Sequence, residues 1–375
     1  MPLLQRLKVI SMTKLDRLIQ ELCPDGVELK RLGEIWEALK KKTLTMKKLI
    51  PDGKYPVINS GRDFYGNYDE YNNEGNAITI AARGEYAGYI NHIDQKFWAG
   101  GLCYPYRSSN EEVVLTKFIY YSLKNLENFI RDTLVARGSI PALNKGDIDN
   151  FKIPIPPLPI QEEIVRILDH FTELEAELEA ELEARQKQYE YYRDELLSFG
   201  DEVERGKLQD VCEISNGRSH RNLNEGNIPV YGSGGIIRYV DTFIYDEETV
   251  LIPRKGSVEN LFYLSEPFWV VDTIFYTKIN QKLMIPKFLF YFLQRARLEQ
   301  LNTAAGVPSL TKAVLNLVEV PIPSLAEQER IVAILDRFDA LVNDISEGLP
   351  AEIEARRKQY EYYRDKLLTF KEVGS

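Results

Sequence analysis

One short stretch near the amino terminus has the residue types of a metal-dependent nuclease site. It reads PDGVELK at residues 24–30 and places Asp25, Glu28 and Lys30 close together. Nucleases of this kind need carboxylates on neighbouring strands, with a longer segment between them. The related stretch GDEVERG at residues 200–206 has a glycine where Lys30 stands. The pattern therefore does not favour a nuclease.

The histidine and cysteine residues are too few and too scattered to predict a metal site. No CxxC, HExxH or comparable paired spacing connects them, and zinc sites require such spacings. The absence of paired cysteines also predicts a reducing compartment rather than a disulfide framework. The residues concerned are Cys23, Cys103, Cys212, His92, His170 and His220.

Motifs for nucleotide binding and for covalent catalysis are also absent from the sequence. There is no GxxxxGKS or GxxxxGKT loop and no GxSxG elbow. The glycine cluster YGSGG at residues 231–235 is better explained by a hairpin turn than by a phosphate site. We therefore expect no catalytic residue, metal or cofactor in this chain. No stretch approaches 18 consecutive apolar residues, which predicts a soluble, cytoplasmic protein.

The remaining candidates for a binding site are basic, hydroxyl and amide side chains in turns of both halves of the chain. Arginine and asparagine have the geometry to read guanine and adenine edges, while lysine and loop amides hold phosphates. A solvated surface charge is the simpler explanation for any single one of them. It is weaker for Arg83, Arg254 and Lys255, which precede glycine turns at matching positions. The candidate DNA contacts are Lys41, Lys42, Asn59, Ser60, Arg62, Arg83, Arg137, Lys145, Arg218, Arg221, Ser233, Arg254, Lys255 and Lys312.

The net charge of −10 arises mainly from one segment of this 375-residue chain. Residues 161–204 hold 4 basic and 15 acidic side chains. Residues 30–150 hold 17 basic and 15 acidic ones, and residues 205–320 hold 13 and 12. Two nearly neutral globular parts can each present a basic face. The overall acidity therefore does not exclude a nucleic-acid partner.

An internal repeat covers nearly the whole chain. KQYEYYRDELLSF at residues 187–199 returns as KQYEYYRDKLLTF at 358–370, and PIPPLPIQEEIVRILDHF at 154–171 returns as PIPSLAEQERIVAILDRF at 321–338. More diverged matches join the parts that precede these segments. The chain therefore consists of two copies of one unit, each a globular part followed by a helix. The helices are nearly identical, whereas the globular parts differ.

The helical parts carry an apolar stripe. The tetrad ELEA is written three times at residues 173–184 and keeps its leucines on one helix face. A helix over residues 160–198 would span about 58 Å, and its stripe must be buried against a partner, for which the second copy is the obvious candidate. We predict an antiparallel helix pair, with the second copy interrupted at EGLPAE. The residues expected to pack in this spacer or dock partners are Leu174, Leu178, Leu182, Tyr189, Tyr192, Leu341, Ile345, Tyr360 and Tyr363.

The globular parts are predicted to be α+β with mostly antiparallel sheets. Short apolar runs such as NAITIAA and TVLIPR are bounded by glycine, asparagine and aspartate turns. Amphipathic helices are predicted at residues 116–132 and 286–302. The predicted domains are a lead-in helix (1–28), a first globular domain (29–153), a central helix (154–200), a second globular domain (201–320) and a distal helix (321–375).

Taken together, these features resemble the DNA-specificity subunits of type I restriction–modification systems. The resemblance rests on the tandem organisation, on the paired segments PIPPLPIQEEIVRILD and PIPSLAEQERIVAILD, on the doubled helix end, and on the opening LDRLIQELCPDGVELKRLGEI. It covers essentially the full length of the chain.

The resemblance implies a non-catalytic subunit with two target-recognition domains, each reading one half of a split, asymmetric site in double-stranded DNA. The helices would hold these domains apart and dock two methyltransferase subunits that methylate adenine N6 with S-adenosylmethionine. Full restriction complexes add two translocase–nuclease subunits that use ATP and Mg. The number of tetrads would set the unread gap, and ELEA here replaces the commoner threonine-containing unit.

Two other functions remain possible from the sequence alone. A stand-alone enzyme is disfavoured because no catalytic constellation is present. A coiled-coil scaffold that binds only proteins would keep the helices but leave the matched basic turns unexplained.

Overall fold

The computed structural model describes residues 14–301, 309–343 and 348–374, which divide into two compact units. Unit 1 comprises Met1–Glu177 and Glu354–Ser375, and unit 2 comprises Leu178–Ile353. Each unit thus contains one globular part together with helix segments from both copies of the repeat.

The elements up to the long central helix are, in chain order, α1 (14–22), β1 (Glu28–Arg31), α2 (Leu32–Ile35), β2 (Trp36–Ala38), a 3-10 turn (Met46–Lys48), β3 (Tyr55–Ile58), β4 (Gly66–Tyr68), β5 (Ala77–Ala81), β6 (Ile90–Ile93), β7 (Trp98–Ala99), β8 (Cys103–Ser108), α3 (Thr116–Asn125), α4 (Glu127–Thr133), β9 (Val135–Ala136), β10 (Ala142–Leu143), α5 (Lys145–Asn150), β11 (Lys152–Ile155) and α6 (Leu158–Leu196).

The later elements are β12 (Arg205–Lys207), α7 (Leu208–Val211), β13 (Cys212–Asn216), β14 (Ile228–Gly232), β15 (Gly235–Val240), β16 (Thr249–Pro253), β17 (Phe262–Leu264), β18 (Trp269–Val270), β19 (Ile274–Ile279), α8 (Pro286–Arg295), a second 3-10 turn (Leu298–Leu301), α9 (Lys312–Asn316), β20 (Glu319–Pro321), α10 (Leu325–Asn343) and α11 (Leu349–Leu367).

The two globular parts have the same sheet topology. Unit 1 has a four-stranded antiparallel sheet in the order β2-β8-β5-β6, and unit 2 has β13-β19-β16-β17. A three-stranded sheet accompanies each, β4-β3-β7 and β15-β14-β18, in which one pair is parallel. The α+β class, the mostly antiparallel sheets and the duplication are confirmed.

The core of each globular part forms around a central strand that is buried along its whole length. Ala77–Ala81 in unit 1 and Thr249–Pro253 in unit 2 are continuous runs of small or apolar residues, as expected for a strand covered on both faces. Helices α3 and α8 pack on these sheets, and their side chains Ile119 and Leu289 are fully buried in the two cores. The amphipathic helix predicted at residues 116–132 is present but is interrupted at residue 126, between α3 and α4. The one predicted at 286–302 ends at residue 295 and is followed by a 3-10 turn.

Helix α6 is 39 residues long, as predicted, but lies two residues earlier in the chain. It starts directly after Pro156 and Pro157, which suit a helix start because proline lacks an amide hydrogen. Glutamate, alanine and leucine then supply high helix propensity through the tetrads. In the second copy, α10 ends at Asn343 and α11 begins at Leu349, so Pro350 lies in the first turn as predicted.

The helices pack through a reciprocal exchange of aromatic side chains between the two copies. In unit 1, Phe171 of the first copy contacts Tyr360 and stacks on Tyr363 of the second, with ring centroids 6.3 and 5.7 Å apart. Arg357 also pairs with Glu175 at 3.0 Å, so the residue numbers run in opposite directions and the pairing is antiparallel.

Unit 2 contains the same arrangement with the copies exchanged. Phe338 of the second copy stacks on Tyr192 at 5.5 Å and contacts Tyr189 at 6.5 Å. Tyr189 is only 7% exposed. It therefore stabilises the helix pair and has no surface on which a partner could dock.

The other residues predicted for the spacer stripe are less buried than expected. Leu174, Leu178 and Leu182 are half-buried, and Leu341 is exposed. The stripe drifts around the helix because each tetrad turns it by about 40°. Ile345 lies outside the described residues.

A buried glutamine fixes each globular part to its helix. In unit 2, the Gln328 side chain accepts a hydrogen bond from the Ile285 amide at 2.7 Å and donates to the carbonyls of Leu283 and Pro323. Gln161 makes the corresponding contacts in unit 1. Both glutamines are fully buried, so these bonds hold the domain and its helix in a fixed geometry.

Candidate nucleic-acid interface

Most of the predicted DNA contacts lie at one edge of the four-stranded sheet in each unit. At this edge β2 and β5 end and β8 begins in unit 1, and the equivalent strands β13, β16 and β19 meet in unit 2. We name it the loop edge, formed in unit 1 by residues 39–43, 59–65, 82–88 and 99–103. In unit 2 it is formed by residues 217–227, 233–237, 254–258 and 271–273.

In unit 1, Lys41 is held over an aromatic ring at the loop edge. Its Nζ atom lies 4.5 Å from the ring centroid of Tyr104 and donates to the Gly101 carbonyl at 3.3 Å. Asn59 Oδ1 accepts a hydrogen bond from the Leu102 amide at 2.9 Å. The loop is thereby fixed, and the lysine charge stays at the surface with a defined position.

Arg83 extends from a tight turn at the same edge. It forms a backbone bridge with Ala142, and its side chain is exposed. The following Gly84 has a φ of +99°, a conformation that glycine adopts without strain. Lys42 is exposed on the neighbouring loop, where its amide donates to the Ala99 carbonyl.

The other unit 1 candidates are placed less favourably or carry fewer contacts. Arg137 and Lys145 form ion pairs with Asp132 at 2.9 Å and Asp149 at 2.8 Å. Exposed pairs of this kind are weak, so a phosphate can still compete for either cation. Ser60 is half-buried and Arg62 is exposed, both in the loop between β3 and β4.

In unit 2, two cations lie over one aromatic ring. The Arg254 guanidinium and the Lys312 Nζ are 5.2 and 5.9 Å from the ring centroid of Phe275. The Nε atom of Arg254 is shielded from solvent and has no hydrogen-bond partner. A buried donor without an acceptor is costly, so a movement of this side chain that gives Nε a hydrogen-bond acceptor would be favourable.

The next residues in unit 2 form a turn that matches the one in unit 1. Lys255 is exposed and forms a backbone bridge with Ser309, and Gly256 has a φ of +81°. Ser233 lies against this turn, since a methyl group built on Gly256 would be 3.4 Å from its Oγ atom. Asn260 donates to the Ser233 carbonyl at 3.3 Å.

Arg218 and Arg221 lie in the loop that follows β13, and both side chains are exposed. The Arg218 carbonyl accepts a hydrogen bond from Trp269 Nε1 at 3.0 Å, and its amide donates to Val270. The first of these two arginines is therefore fixed to the loop edge through its backbone.

The structure corrects the predicted match of Arg83, Arg254 and Lys255. Arg83 is equivalent to Lys255 alone, because each forms the backbone bridge and each precedes the glycine with positive φ. Arg254 is equivalent to Ala82, one residue earlier. An ungapped alignment of AITIAARG (77–84) with TVLIPRKG (249–256) gives the same equivalence, so Arg254 has no basic counterpart in unit 1.

Sequence reasoning also missed two kinds of residue. Tyr104 and Phe275 support the cations, and each is the second residue of a strand that pairs with the strand leading into a basic turn, at Ile80 and at Ile252. Tyr191 and Tyr362 are 64% and 63% exposed on α6 and α11. Helical spacing places them opposite the buried tyrosines.

Other chemistry receives no support from the described residues. No group of three or more His, Cys, Asp or Glu side chains in this part of the chain is arranged to hold a metal. Lys30 of the nuclease-like stretch lies 3.6 Å from Glu28 in an exposed ion pair. Burial raises the pKa of Cys103 and of Cys212 to about 12, which makes both thiols unreactive. Within the described residues, no helix is long and apolar enough to cross a membrane.

Two related α+β domains, each with cations fixed at one sheet edge and each joined to a duplicated helix, define a tandem-domain recognition protein. The model of the type I restriction modification DNA specificity domain matches this chain twice, at residues 24–184 and 200–355. The chain belongs to this family, and its role is that of the non-catalytic specificity subunit.

Known relatives and solved structures agree with this assignment. The specificity subunit of the EcoR124I/EcoR124II type I restriction enzyme of Escherichia coli is 31% identical, over 96% of this chain and 98% of its own length. The EcoprrI specificity subunit of Escherichia coli is 33% identical over 72% of each chain. The crystal structure of the type I S subunit from M. genitalium has the same fold, with a TM-score of 0.67 and 20% identity over 91% of this chain and 96% of that one.

Proposed function

We propose that the loop edge of each unit reads one half of a bipartite, asymmetric site in double-stranded DNA. The observation that carries this proposal is that one backbone frame presents cations at the same edge twice, with different side chains each time. In unit 1, Lys41 lies over the ring of Tyr104. In unit 2, Arg254 and Lys312 lie over the ring of Phe275. Two readers with one frame and different side chains fit two different half-sites.

The helix ends offer two equivalent docking surfaces for one kind of protein partner. Five exposed positions on one face of each helix end are identical in the two copies. Both surfaces also contain an ion pair at i,i+4 spacing, Glu183–Lys187 at 2.6 Å and Glu354–Lys358 at 3.2 Å. We name them the tyrosine faces: Glu183, Lys187, Glu190, Tyr191 and Asp194 on α6, and Glu354, Lys358, Glu361, Tyr362 and Asp365 on α11.

Exposed positions elsewhere on the repeated helices have changed between the copies. Arg166 corresponds to Ala333, and His170 corresponds to Arg337. Packing cannot explain why solvent-exposed residues of the tyrosine faces stay the same. A partner that binds both faces explains it, and we propose two methyltransferase subunits as these partners.

In this proposal the chain supplies recognition and assembly, and its partners supply the chemistry. The methyltransferase subunits use S-adenosylmethionine to methylate adenine N6, and translocase–nuclease subunits, where present, use ATP and Mg. The complex acts in the cytoplasm on the chromosome of the host. The number of ELEA tetrads in α6 sets the gap between the half-sites, since each tetrad adds about 6 Å of helix.

The test is to co-express the chain with its methyltransferase and to sequence the methylated positions of the host genome. We expect one bipartite motif with two different half-sites. The variant Arg254→Ala/Lys312→Ala should alter or abolish recognition of one half-site only, and Lys282→Ala, an exposed lysine outside the loop edge, should change nothing. Methylation without any sequence preference, or with a motif unaffected by the double variant, would favour a scaffold that binds proteins alone.

A further inference from the structure

Each loop edge contains an adjacent pair of large apolar side chains that are exposed to solvent. In unit 1 these are Phe64 and Tyr65, which are 56% and 39% exposed. In unit 2 they are Ile236 and Ile237, which are 50% and 56% exposed. Contiguous exposed apolar side chains on a folded domain commonly mark a contact surface.

The two pairs occupy the same position in the two folds. In unit 1, Phe64 and Tyr65 directly precede Gly66, which pairs with Val57 of β3. In unit 2, Ile236 and Ile237 directly precede Arg238, which pairs with Val230 at the equivalent position of β14. Each hairpin, β3–β4 or β14–β15, has its tip at the loop edge. The position is therefore shared, whereas its chemistry is aromatic in one unit and aliphatic in the other.

The hairpin tips are attached to the residues that carry the cations. In unit 1, Asn59 starts the hairpin loop and holds the Leu102 amide of the loop that Lys41 contacts. In unit 2, Ser233 of the tip lies against Gly256, the residue after Lys255. A DNA backbone bound by these cations would therefore bring base edges within reach of the apolar pair.

A two-stranded β-ribbon fits the major groove of B-form DNA. The apolar feature that a base presents in that groove is the C5-methyl group of thymine, and apolar side chains contact it directly. Polar side chains in the same turns would read hydrogen-bonding atoms, so an apolar pair adds information that they do not supply.

We propose that the pair Phe64–Tyr65 and the pair Ile236–Ile237 enter the major groove and pack against a thymine methyl group, one pair in each half-site. This inference rests on the proposed function, because it assigns a base contact to the same loop edges. It predicts a thymine in each half-site whose methyl group contributes to recognition.

The first experiment uses the complex of full-length chain and methyltransferase on synthetic duplexes that carry the motif found by methylation mapping. Each thymine in turn is replaced by deoxyuridine, which lacks only the C5-methyl group. We expect one replacement in each half-site to weaken binding about fourfold, the effect of losing one buried methyl group. Unchanged affinity for every deoxyuridine duplex would overturn the proposal without any protein variant.

The second experiment assigns each methyl group to its hairpin. Ile236→Ala/Ile237→Ala should bind thymine and deoxyuridine duplexes equally in one half-site, and Phe64→Ala/Tyr65→Ala should do so in the other. Leu283→Ala and Val113→Ala are matched controls, because both side chains are exposed and apolar and lie away from the loop edge. They occupy equivalent positions in the two units, since the carbonyl of Leu283 accepts a hydrogen bond from Gln328 and that of Val113 accepts one from Gln161. Melting temperatures establish that each variant is folded.

The outcomes separate this inference from the proposed function. A wild-type complex without sequence preference would refute the proposed function itself. A wild-type complex that reads a bipartite motif, together with hairpin variants that keep the full thymine preference, would refute only the apolar contact.

Discussion

The tyrosine faces make a quantitative prediction about assembly with the methyltransferase. Tyr191 and Tyr362 expose nearly equal fractions of their surface, 64% and 63%. A fully exposed aromatic side chain has a surface of about 200 Å². Because about two thirds of each tyrosine is exposed, docking would bury about 130 Å² of it, which would stabilise the complex by up to about 3 kcal/mol. Truncation of an aromatic anchor commonly costs about 2 kcal/mol or more. Tyr191→Ala or Tyr362→Ala should therefore weaken one of two binding events about 30- to 150-fold.

The assay is native mass spectrometry of the chain titrated with methyltransferase, together with calorimetry. Wild type should bind two copies, each single variant should bind one copy tightly, and the double variant should bind none at the same concentration. Glu195→Ala and Lys366→Ala are matched controls, because these exposed residues differ between the copies and flank the tyrosine faces. Two tightly bound methyltransferase subunits on either single variant would refute the reasoning, as would equal losses in the controls.

Three further predictions follow from packing, pKa and helix geometry. Gln328→Ala leaves the Ile285 amide and two carbonyls without partners in a buried site. In urea titrations it should therefore lower the free energy of unfolding of unit 2 by about 3–5 kcal/mol. The control Glu329→Ala, at an exposed neighbouring residue, should have little effect. Burial raises the pKa of Tyr189 to about 12; its neutral form is favoured in the folded state, so the stability it contributes should be complete below pH 10 and lost as pH rises towards 12. Thermal melts of wild type and Tyr189→Phe across this range should show the difference. Deleting residues 177–180, one tetrad, shortens α6 by about 6 Å, and methylation mapping should show a shorter gap between half-sites; an unchanged gap would contradict the role assigned to the tetrads.

The sequence was sufficient to predict the architecture because the features that specify it are local and repeated. The apolar spacing, the proline-rich starts and the two copies of the helix predicted α6 to within two residues. Pro350 likewise predicted where α11 begins. These signals need no knowledge of tertiary contacts, since helix propensity and proline chemistry act within a few residues.

The roles of individual side chains were harder to predict because they depend on contacts between distant segments. The apolar spacing correctly placed Tyr189 and Tyr192 in the stripe, and both contact Phe338 of the second copy, but it did not identify Tyr191 as the exposed tyrosine. Tyr189 and Tyr192 are three residues apart and therefore share a helix face. Once the partner helix is known to cover that face, the same spacing places Tyr191 on the exposed side. The placement of Arg254 and Lys312 over one ring, that of Phe275, could not be predicted, because it joins segments that lie far apart in the chain.

The acidity of α6 explains how a chain with a net charge of −10 can have a nucleic-acid partner. The tetrad glutamates at positions 173, 177, 179, 181 and 183 are exposed, so they repel phosphates within a screening length of about 8 Å at physiological salt. The cations of the loop edges are instead held over aromatic rings or on tight turns. Binding to DNA is therefore favoured where the side chains can read bases and disfavoured along the helix, whose proposed task is to set a distance. Replacing the glutamates at positions 173, 177, 179 and 181, which lie outside the tyrosine face, with glutamine should raise the affinity for DNA without the motif and leave the motif itself unchanged.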